Sequence, residues 1–322
     1  MNSPFKVVSL FSGCGGSSLG YQMAGGKVLL AVEWDDNAVQ TYRLNFPDTK
    51  VWHGDIHQLS TESILEASGL NMGELDILDG SPPCQGFSTA GKRDFCDLRN
   101  QLYNEYIRIL RGLQPKVFVM ENVSGMVKGK MKLIFADILT QLKASGYWVK
   151  ARLMNAMYYG VPQSRQRMIF IGVRNDLDIE PSHPNPQTRP TSLREALEGL
   201  EDIGEIHYPE GKAKEIGRLL KPWQDGSDIT KDSFFNLKKL DLNQPSRTLT
   251  KTIRESQCGH LHPTENRFLT ISELKRVSTY PDSFQFIGSF RDQWARIGNS
   301  VPPLFMKAIA THINENILAR CP

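Results

Sequence analysis

Residues 7–16 read VVSLFSGCGG, a short apolar run followed by a turn rich in glycine. The apolar run has the length and composition of a buried strand, and a helical pattern begins at Ser17, directly after the glycines. Glycine permits a tight turn and a close approach of the backbone to a ligand. The order of strand, glycine-rich turn and helix predicts the first unit of a parallel α/β sheet, with a ligand site at the carboxyl end of the first strand.

Further short apolar runs alternate with helical patterns up to residue 173. The predicted strands are 7–11, 28–32, 51–53, 75–79, 117–121, 148–154 and 168–173, and the predicted helices are 17–24, 37–46, 101–112 and 131–145. This alternation favours βαβ units and a mostly parallel sheet that is covered on both faces. We therefore predict an α/β fold in which ligand-binding residues follow the strands directly.

The next part of the chain has a different character. Prolines crowd residues 176–190, which predicts an extended or looped segment, and only residues 192–200 then have a clear helical pattern. We predict a smaller irregular region at 174–266 between two ordered parts of the chain, 1–173 and 267–322.

Order returns in the last part of the chain. Ser272 is predicted to cap a short helix at residues 272–278. A last helical pattern begins with Pro303 in its first turn and runs to Ile317.

Charge is distributed unevenly along the irregular domain. Residues 174–210 are strongly acidic, whereas residues 211–269 are basic. A cluster of lysine and arginine at 238–254 suits contacts with a phosphate backbone. A solvated loop would carry the same charges, so charge alone leaves both interpretations open.

Composition and cysteine usage exclude several classes of protein. The chain has 322 residues, 40% of them hydrophobic, and a net charge of +3. No stretch approaches the ~18 apolar residues of a membrane span, and the five cysteines include no C-x-x-C pair. His260 and His262 form an H-x-H pair that lacks further ligands. We expect a soluble cytoplasmic protein without a bound metal.

Glu33 and its neighbours indicate a nucleoside site. Glu33 follows the second predicted strand, where a carboxylate can accept hydrogen bonds from ribose hydroxyls. Trp34 offers an aromatic face for adenine, and Asp55 follows the third strand. The turn departs from G-x-G-x-x-G because Ser18 takes the place of the last glycine. The pattern fits a nucleoside without a pyrophosphate better than NAD, although a purely structural turn is the alternative.

The fourth predicted strand leads into a candidate nucleophile. Residues 80–88 read GSPPCQGFS, and the two prolines stiffen the loop that carries Cys84. A thiolate on a rigid loop at the end of a strand is well placed for nucleophilic attack. The alternative is a buried, inert cysteine.

Two further sites carry charged side chains. Glu121 ends the fifth predicted strand directly after an apolar run, so we expect partial burial, which raises a carboxyl pKa and suits proton donation. Arg165 and Arg167 lie at i and i+2, and in an extended segment they would face the same way as a clamp for an anion or a carbonyl. A strand-end carboxylate and a surface salt bridge are the alternatives.

Taken together and in this order, the motifs resemble those of the DNA (cytosine-5) methyltransferases of bacterial restriction-modification type. They are FSGCGG at 11–16, EW at 33–34, GDI at 54–56, SPPCQGFS at 81–88, ENV at 121–123, QSRQR at 163–167, ENRFLTISELKRVSTYPDSF at 265–284 and GNSVPP at 298–303. The resemblance covers almost the whole chain except about 174–245. It implies a Rossmann-like S-adenosylmethionine-dependent methyltransferase fold, in which 1–173 and 267–322 form the catalytic and cofactor-binding domain and 174–266 forms a smaller, irregular target-recognition domain.

The resemblance also implies roles for individual residues. Cys84 would be the nucleophile, Glu121 would hold nitrogen 3 of a flipped cytosine, and Arg165, with Arg167, would support the ring carbonyl. The implied S-adenosylmethionine pocket consists of Phe11, Ser12, Gly13, Cys14, Gly15, Gly16, Glu33, Trp34, Asp55, Ile56, Asn299 and Ser300. The expected DNA contacts are Gln85, Ser88, Lys92, Arg93, Arg99, Arg247, Thr248, Lys251 and Arg254.

The implied partner is double-stranded DNA in the bacterial nucleoid, and a cognate restriction endonuclease is compatible with the resemblance. We expect a monomer. Two alternatives stay open: an RNA cytosine-5 methyltransferase of the same fold, and a non-catalytic DNA-binding relative. The C-F-T-x-x-Y element of the tRNA-methylating branch is absent from the sequence, and the intact PPC and ENV motifs argue against a non-catalytic protein.

Overall fold

The computed structural model describes residues 3–83, 101–127, 129 and 131–321. The chain forms two compact units, which we describe separately. The first unit comprises Met1–Met154, Gln166–Asn185 and Met306–Pro322, and the second comprises Asn155–Arg165 and Pro186–Phe305.

The strands and helices follow in chain order. The strands are β1 (Lys6–Leu10), β2 (Lys27–Glu33), β3 (Lys50–His53), β4 (Ile77–Gly80), β5 (Val117–Val123), β6 (Tyr147–Asn155), β7 (Gln163–Ser164), β8 (Gln166–Arg174), β9 (Leu237–Lys239), β10 (Ser246–Arg247) and β11 (Gly259–Leu261). The helices are α1 (Gly16–Met23), α2 (Asp36–Asn45), α3 (Thr61–Ser68), α4 (Gln101–Leu113), α5 (Met131–Ala144), α6 (Leu193–Leu197), α7 (Gly211–Leu219), α8 (Ile271–Val277), α9 (Phe290–Asn299) and α10 (Pro303–Asn316).

The first unit is built on a seven-stranded sheet with the order β3-β2-β1-β4-β5-β8-β6. The strands β3, β2, β1, β4 and β5 pair in parallel, and β8 runs antiparallel to β5. The prediction of an α/β fold with a mostly parallel sheet is confirmed. Because the strand order reverses beside β1, the loops after β1 and β4 diverge at the carboxyl edge and leave a crevice where α/β proteins bind ligands.

Aromatic side chains fill the core of the first unit. Tyr106 of α4, Phe118 of β5 and Tyr147 of β6 are almost wholly buried. The Phe118 ring meets Tyr106 and Tyr147 edge-to-face, with centroids 6.3 and 5.2 Å apart. Such contacts fix the central strands and therefore the residues at their ends.

The second unit has its own core around Trp294 of α9. The Trp294 ring packs edge-to-face against Phe268 and Phe290, and its indole N–H donates to the Thr250 carbonyl at 2.9 Å. A buried ion pair lies near this core: Arg267 donates to both carboxylate oxygens of Glu273 at 2.8 and 2.9 Å. This unit therefore contains more regular structure than its sequence suggested.

Three helices were not predicted from the sequence: α3, α7 and α9. The signal for α9 was present, since Ser289 and Asp292 form a capping box and Phe290, Trp294 and Ile297 have helical spacing. The helix predicted at 192–200 is shorter, with Ser192 as its cap.

The predicted cap of α8 was wrong. Thr270, not Ser272, accepts the Glu273 backbone N–H, and the Glu273 carboxylate accepts the Thr270 N–H in return. A glutamate three residues after a threonine satisfies two otherwise unpaired amides, which fixes the start of the helix two residues earlier.

The compact units do not share the boundaries of the predicted domains. Residues 155–165 and 267–305 pack with the second unit, although the sequence grouped them with the sheet. Packing does not test which residues recognise a target, so the assignment of 174–266 to target recognition stays a prediction.

Candidate functional site

The glycine-rich turn between β1 and α1 depends on left-handed backbone. Phe11, Gly13 and Gly15 have φ values of 54°, 54° and 95°. A Cβ atom on Gly15 would lie 2.2 Å from the Phe46 ring, so this position requires glycine. Gly15 also forms the N-cap of α1 without any side-chain capping bond. The amides at the start of α1 can therefore receive a carboxylate or another anion.

Glu33 lies at the carboxyl end of β2 and faces this turn. Its side chain is buried, and its carboxylate accepts hydrogen bonds from the backbone N–H groups of Gly13 at 2.8 Å, Trp34 at 2.9 Å and Asp35 at 3.0 Å. The carboxylate has room for a further donor on the oxygen that Gly13 contacts. Glu33 thus joins the turn to the second strand and presents an acceptor beside it.

The other predicted cofactor residues of the first unit lie at the ends of β2 and β3. The Trp34 side chain is 77% exposed, which leaves its ring free for stacking. Asp55 is exposed, and hydrogen bonds from His57 lower the pKa of its carboxyl group. Ile56 beside it is buried. The contacts of these residues with the ribose, adenine and amino-acid groups of S-adenosylmethionine stay a prediction.

Replacing Glu33 or Trp34 by alanine is expected to weaken S-adenosylmethionine binding by about 1–3 kcal/mol, because each change removes one polar or stacking contact. Isothermal titration with the cofactor and without DNA measures this directly. Glu66→Ala, which removes an exposed carboxylate on α3, is the matched control and should leave the affinity unchanged. Wild-type affinity in both Glu33→Ala and Trp34→Ala would show that the pocket lies elsewhere.

The predicted nucleophile loop begins at the end of β4. Residues 81–83 are described, and the loop residues Cys84, Gln85, Ser88, Lys92, Arg93 and Arg99 lie outside the described residues. Asn122 anchors the start of this loop: its side-chain amide donates to the Pro82 carbonyl at 3.1 Å, and its side-chain oxygen accepts the Val123 N–H. No role for Asn122 was predicted from the sequence, although it stands beside Glu121 in the ENV motif.

Glu121 and Arg167 form a close ion pair within the first unit. The distance between Glu121 Oε1 and Arg167 Nε is 2.6 Å, and the two side chains are only 10% and 13% exposed. The antiparallel pairing of β5 with β8 places Arg167 opposite Val123, two residues beyond Glu121. This guanidinium therefore holds the carboxylate in one orientation at the carboxyl edge of the sheet.

Arg165 lies in the second unit and contacts other residues of that unit. Its guanidinium is buried and donates to the backbone carbonyls of Leu249 at 3.0 Å and Gly298 at 3.1 Å. Arg165 falls between β7 and β8 and not inside a strand, so the geometry of an i, i+2 strand clamp does not apply to it. Its predicted contact with a cytosine carbonyl stays a prediction.

The remaining predicted residues of the second unit differ in their exposure. Asn299 ends α9 and is exposed, and the Ser300 hydroxyl donates to the Ile297 carbonyl at 2.9 Å. The predicted role of Asn299 and Ser300 toward the cofactor stays a prediction. Within the described ranges, histidine, cysteine and acidic side chains form no cluster that could hold a metal ion.

The predicted DNA contacts of the second unit fall into two groups. Arg247 lies over the Trp223 ring at 4.8 Å from its centroid, donates to the Trp223 carbonyl and pairs with Asp225. The Thr248 hydroxyl donates to the Ser164 carbonyl at 2.6 Å. The side chains of Lys251 and Arg254 are exposed instead. Lys251 and Arg254 are thus better placed to reach a ligand than Arg247 and Thr248.

Comparisons with known proteins identify the family. The sequence model of the C-5 cytosine-specific DNA methylases matches residues 5–315, almost the entire chain. The chain belongs to this family.

The similarity to relatives in this family extends over most of each chain. The chain is 35% identical to the Type II methyltransferase M1.HphI of Haemophilus parahaemolyticus, over 94% of this chain and 85% of that one. It is 32% identical to the Type II methyltransferase M.NgoPII of Neisseria gonorrhoeae, over 98% and 97%. A crystal structure described as a DNA modification methyltransferase encoded within an E. coli prophage superposes with a TM-score of 0.81 at 27% identity, over 98% and 99%.

Membership in the C-5 cytosine-specific DNA methylases makes the chain a DNA (cytosine-5) methyltransferase, and the family implies S-adenosylmethionine as the methyl donor. No helix among the described residues combines the length and the apolar character needed to cross a membrane. The predicted family and the predicted type of enzyme are confirmed, whereas the roles of individual site residues are not tested by these comparisons.

Proposed function

We propose that the chain is a sequence-specific DNA (cytosine-5) methyltransferase of a restriction-modification system, which acts on a flipped-out cytosine through a covalent bond to Cys84. The observation that carries this proposal is the Glu121–Arg167 pair, held at the carboxyl edge of the sheet that also presents Glu33. The names of the relatives, which are Type II methyltransferases, support the restriction-modification setting and a cognate endonuclease.

The cofactor would be held by the glycine-rich turn, Glu33 and Trp34. Glu33 would accept from the ribose hydroxyls, the Trp34 ring would stack on adenine, and the amides at the start of α1 would face the carboxylate of the amino-acid tail. When bound, S-adenosylmethionine supplies an electrophilic methyl group and is left as S-adenosylhomocysteine. Its sulfonium requires no metal, the turn offers backbone amides, and a Cβ atom on Gly13 would meet nothing within 4 Å.

The remaining chemistry belongs to the side chains of the chain. Carbon 5 of cytosine is a poor nucleophile. Addition of the Cys84 thiolate to carbon 6 places an electron pair on carbon 5 and so makes carbon 5 nucleophilic. Glu121 would hold a proton at nitrogen 3 and so stabilise the charge that develops there. Once carbon 5 is methylated, its hydrogen leaves as a proton to a base, the bond between Cys84 Sγ and carbon 6 breaks, and the aromatic ring is restored.

This chemistry requires access to both faces of the cytosine ring. A stacked base pair blocks that access, so the target nucleotide has to leave the duplex and enter a pocket. The edge that carries nitrogen 3 would then meet Glu121, whose orientation the Arg167 guanidinium fixes.

Residues 174–266 would choose the target sequence. The catalytic residues contact only the flipped cytosine and the cofactor, so neighbouring bases have to be read by other side chains in the grooves. Lys251 and Arg254 are the exposed candidates, and Arg247 is engaged by Trp223 and Asp225. A phosphate contact would weaken binding evenly, whereas a base contact would relax specificity at one position.

Expression in a host without cytosine methylation tests the proposal. Bisulfite sequencing of DNA and RNA is expected to show 5-methylcytosine at a single short DNA motif, because one recognition surface reads one site. A strain that expresses Cys84→Ser is the matched control and should show no protected cytosine. Modification confined to RNA, or scattered over DNA without a motif, would contradict the proposal.

A further inference from the structure

Asp79 is a buried acid that the proposed chemistry does not use. It lies on β4 in the middle of the sheet, and its side chain is 2% exposed. The Ser9 hydroxyl of β1 donates to its Oδ2 at 2.9 Å, and the Tyr21 hydroxyl of α1 donates to its Oδ1 at 3.1 Å. Ser9 and Tyr21 are themselves wholly buried.

The two donors lie on opposite sides of the glycine-rich turn. Ser9 precedes Phe11 by two residues, and Tyr21 stands on the helix that follows the turn. The strand that carries Asp79 leads directly into residues 81–83 and the nucleophile loop. One carboxylate therefore ties both sides of the cofactor turn to the strand that ends at the catalytic loop.

Burial makes this carboxylate sensitive to pH near neutrality. Desolvation raises the pKa of Asp79 to about 7, and the charge of Glu121 on β5 adds to the rise, while the bonds from Ser9 and Tyr21 oppose it. The other titratable groups that face Asp79 are the phenols of Tyr106 on α4 and Tyr42 on α2. Both have a raised pKa and stay neutral, because burial disfavours their ionisation.

We propose that Asp79 is a positioning residue for the cofactor turn, and that its ionised form, by accepting from Ser9 and Tyr21 together, preorganises residues 11–16 for S-adenosylmethionine. The proposal deepens the proposed function, since it concerns the cofactor site of that enzyme. Hydrogen bonds to an ionised carboxylate are shorter and stronger than those to a neutral acid. A turn that is already held in place loses less conformational freedom when the ligand binds.

The effect on stability has the opposite sign to the effect on binding. Because the folded state raises the pKa of Asp79, the neutral acid is the form that folding favours, and its contribution to stability is fully present below about pH 4 and is lost progressively as the pH rises to about 7. Cofactor affinity, in contrast, should rise as the carboxylate of the folded protein ionises around pH 7. The turn is thus held more firmly at the expense of overall stability.

The test compares Asp79→Asn and Tyr21→Phe with wild type in cofactor titrations without DNA, from about pH 6 to about pH 8.5. Tyr147→Phe is the matched control, because it also deletes one buried phenol hydroxyl, whose bond goes to the Pro115 carbonyl at 2.8 Å. Tyr21→Phe should weaken cofactor affinity about threefold to tenfold, as expected for one hydrogen bond, and Tyr147→Phe should not. The affinity ratio of wild type to Asp79→Asn should increase as the pH rises through about 7.

Thermal midpoints from about pH 4.5 to about pH 8.5 give a readout that needs no cofactor. The wild-type midpoint should fall more steeply than that of Asp79→Asn, whose side chain cannot ionise, as the pH rises to about 7, and the two should run in parallel above that pH. If Asp79→Asn does not fold, Ser9→Ala, which removes one donor and keeps the acid, serves in its place and should weaken affinity as Tyr21→Phe does.

An affinity ratio that is independent of pH, or equal losses in Tyr21→Phe and Tyr147→Phe, would overturn the positioning role while leaving the proposed methylation intact. The expected binding trends together with absent DNA methylation would instead overturn the proposed function and leave the role of Asp79 standing.

Discussion

Replacing Cys84 by serine is expected to abolish methyl transfer while leaving DNA binding largely intact. The thiolate acts after the cytosine has been bound, and a serine hydroxyl at neutral pH is a far weaker nucleophile toward carbon 6. Methyl incorporation from labelled S-adenosylmethionine measures the first effect, and a gel-shift titration on the mapped motif measures the second.

Covalent trapping also tests the assignment of Cys84 as the nucleophile, because a covalent protein–DNA adduct is detected by its mass. DNA that contains 5-fluorocytosine at the target should trap the wild-type enzyme, because fluorine cannot leave carbon 5 as a proton does. Cys321→Ser, which removes a different half-buried thiol, is the control and should trap as the wild type does. A trapped adduct that formed equally well with Cys84→Ser would show that another residue is the nucleophile.

Replacing Glu121 by glutamine is expected to lower the rate of methyl transfer by roughly 10²-fold or more, the size of effect typical for a proton-donating or charge-stabilising group. The amide keeps the shape of the side chain but cannot hold a transferable proton at nitrogen 3. The neutral amide also loses the ion pair with the Arg167 guanidinium, whose Nε lies 2.6 Å from Glu121 Oε1. Single-turnover rates on the mapped motif, with saturating cofactor, isolate this step.

An exposed ion pair of the same unit provides the control for Glu121. Glu180 pairs with Lys150 Nζ at 2.9 Å and is 77% exposed, so Glu180→Gln should leave the rate unchanged. Arg167→Ala should lower the rate as well, because it leaves a buried carboxylate without the group that orients it. Wild-type rates in Glu121→Gln would remove Glu121 from the chemistry and leave the cofactor site untouched.

The strands of the sheet were predictable from sequence because each central strand is buried on both faces. The runs that became β1 and β5 are mainly apolar, and their burial in the structure is nearly complete, whereas β4 is buried although it carries Asp79. Glu33 and Glu121 interrupt that pattern at strand ends, which is why both could be proposed as site residues. Their low exposure in the structure matches that position.

The helices of the second unit were harder to predict. The helix α7 carries charged residues at four of its nine positions and small residues at three others, so its apolar stripe is weak, and only Ala213, Ile216 and Gly217 are buried. Its stability comes from packing against a core that the sequence does not reveal. The helix α9 had an adequate signal in its capping box, which shows that capping patterns carry information even where composition is irregular.

The sequence by itself determined the family, the succession of the seven sheet strands along the chain and the residues that stand at strand ends, because these follow from local periodicity and from motifs of adjacent residues. Only the tertiary structure decided which of those residues meet. Arg167 turned out to pair with Glu121, Arg165 to bind the carbonyls of Leu249 and Gly298, and Asp79 to join Ser9 and Tyr21. The hydrogen-bond partners of Asp79 and Arg165 lie 58 to 133 residues away from them along the chain. Buried polar groups need hydrogen-bond partners once the chain is packed. The sequence around each residue does not show which partner that will be.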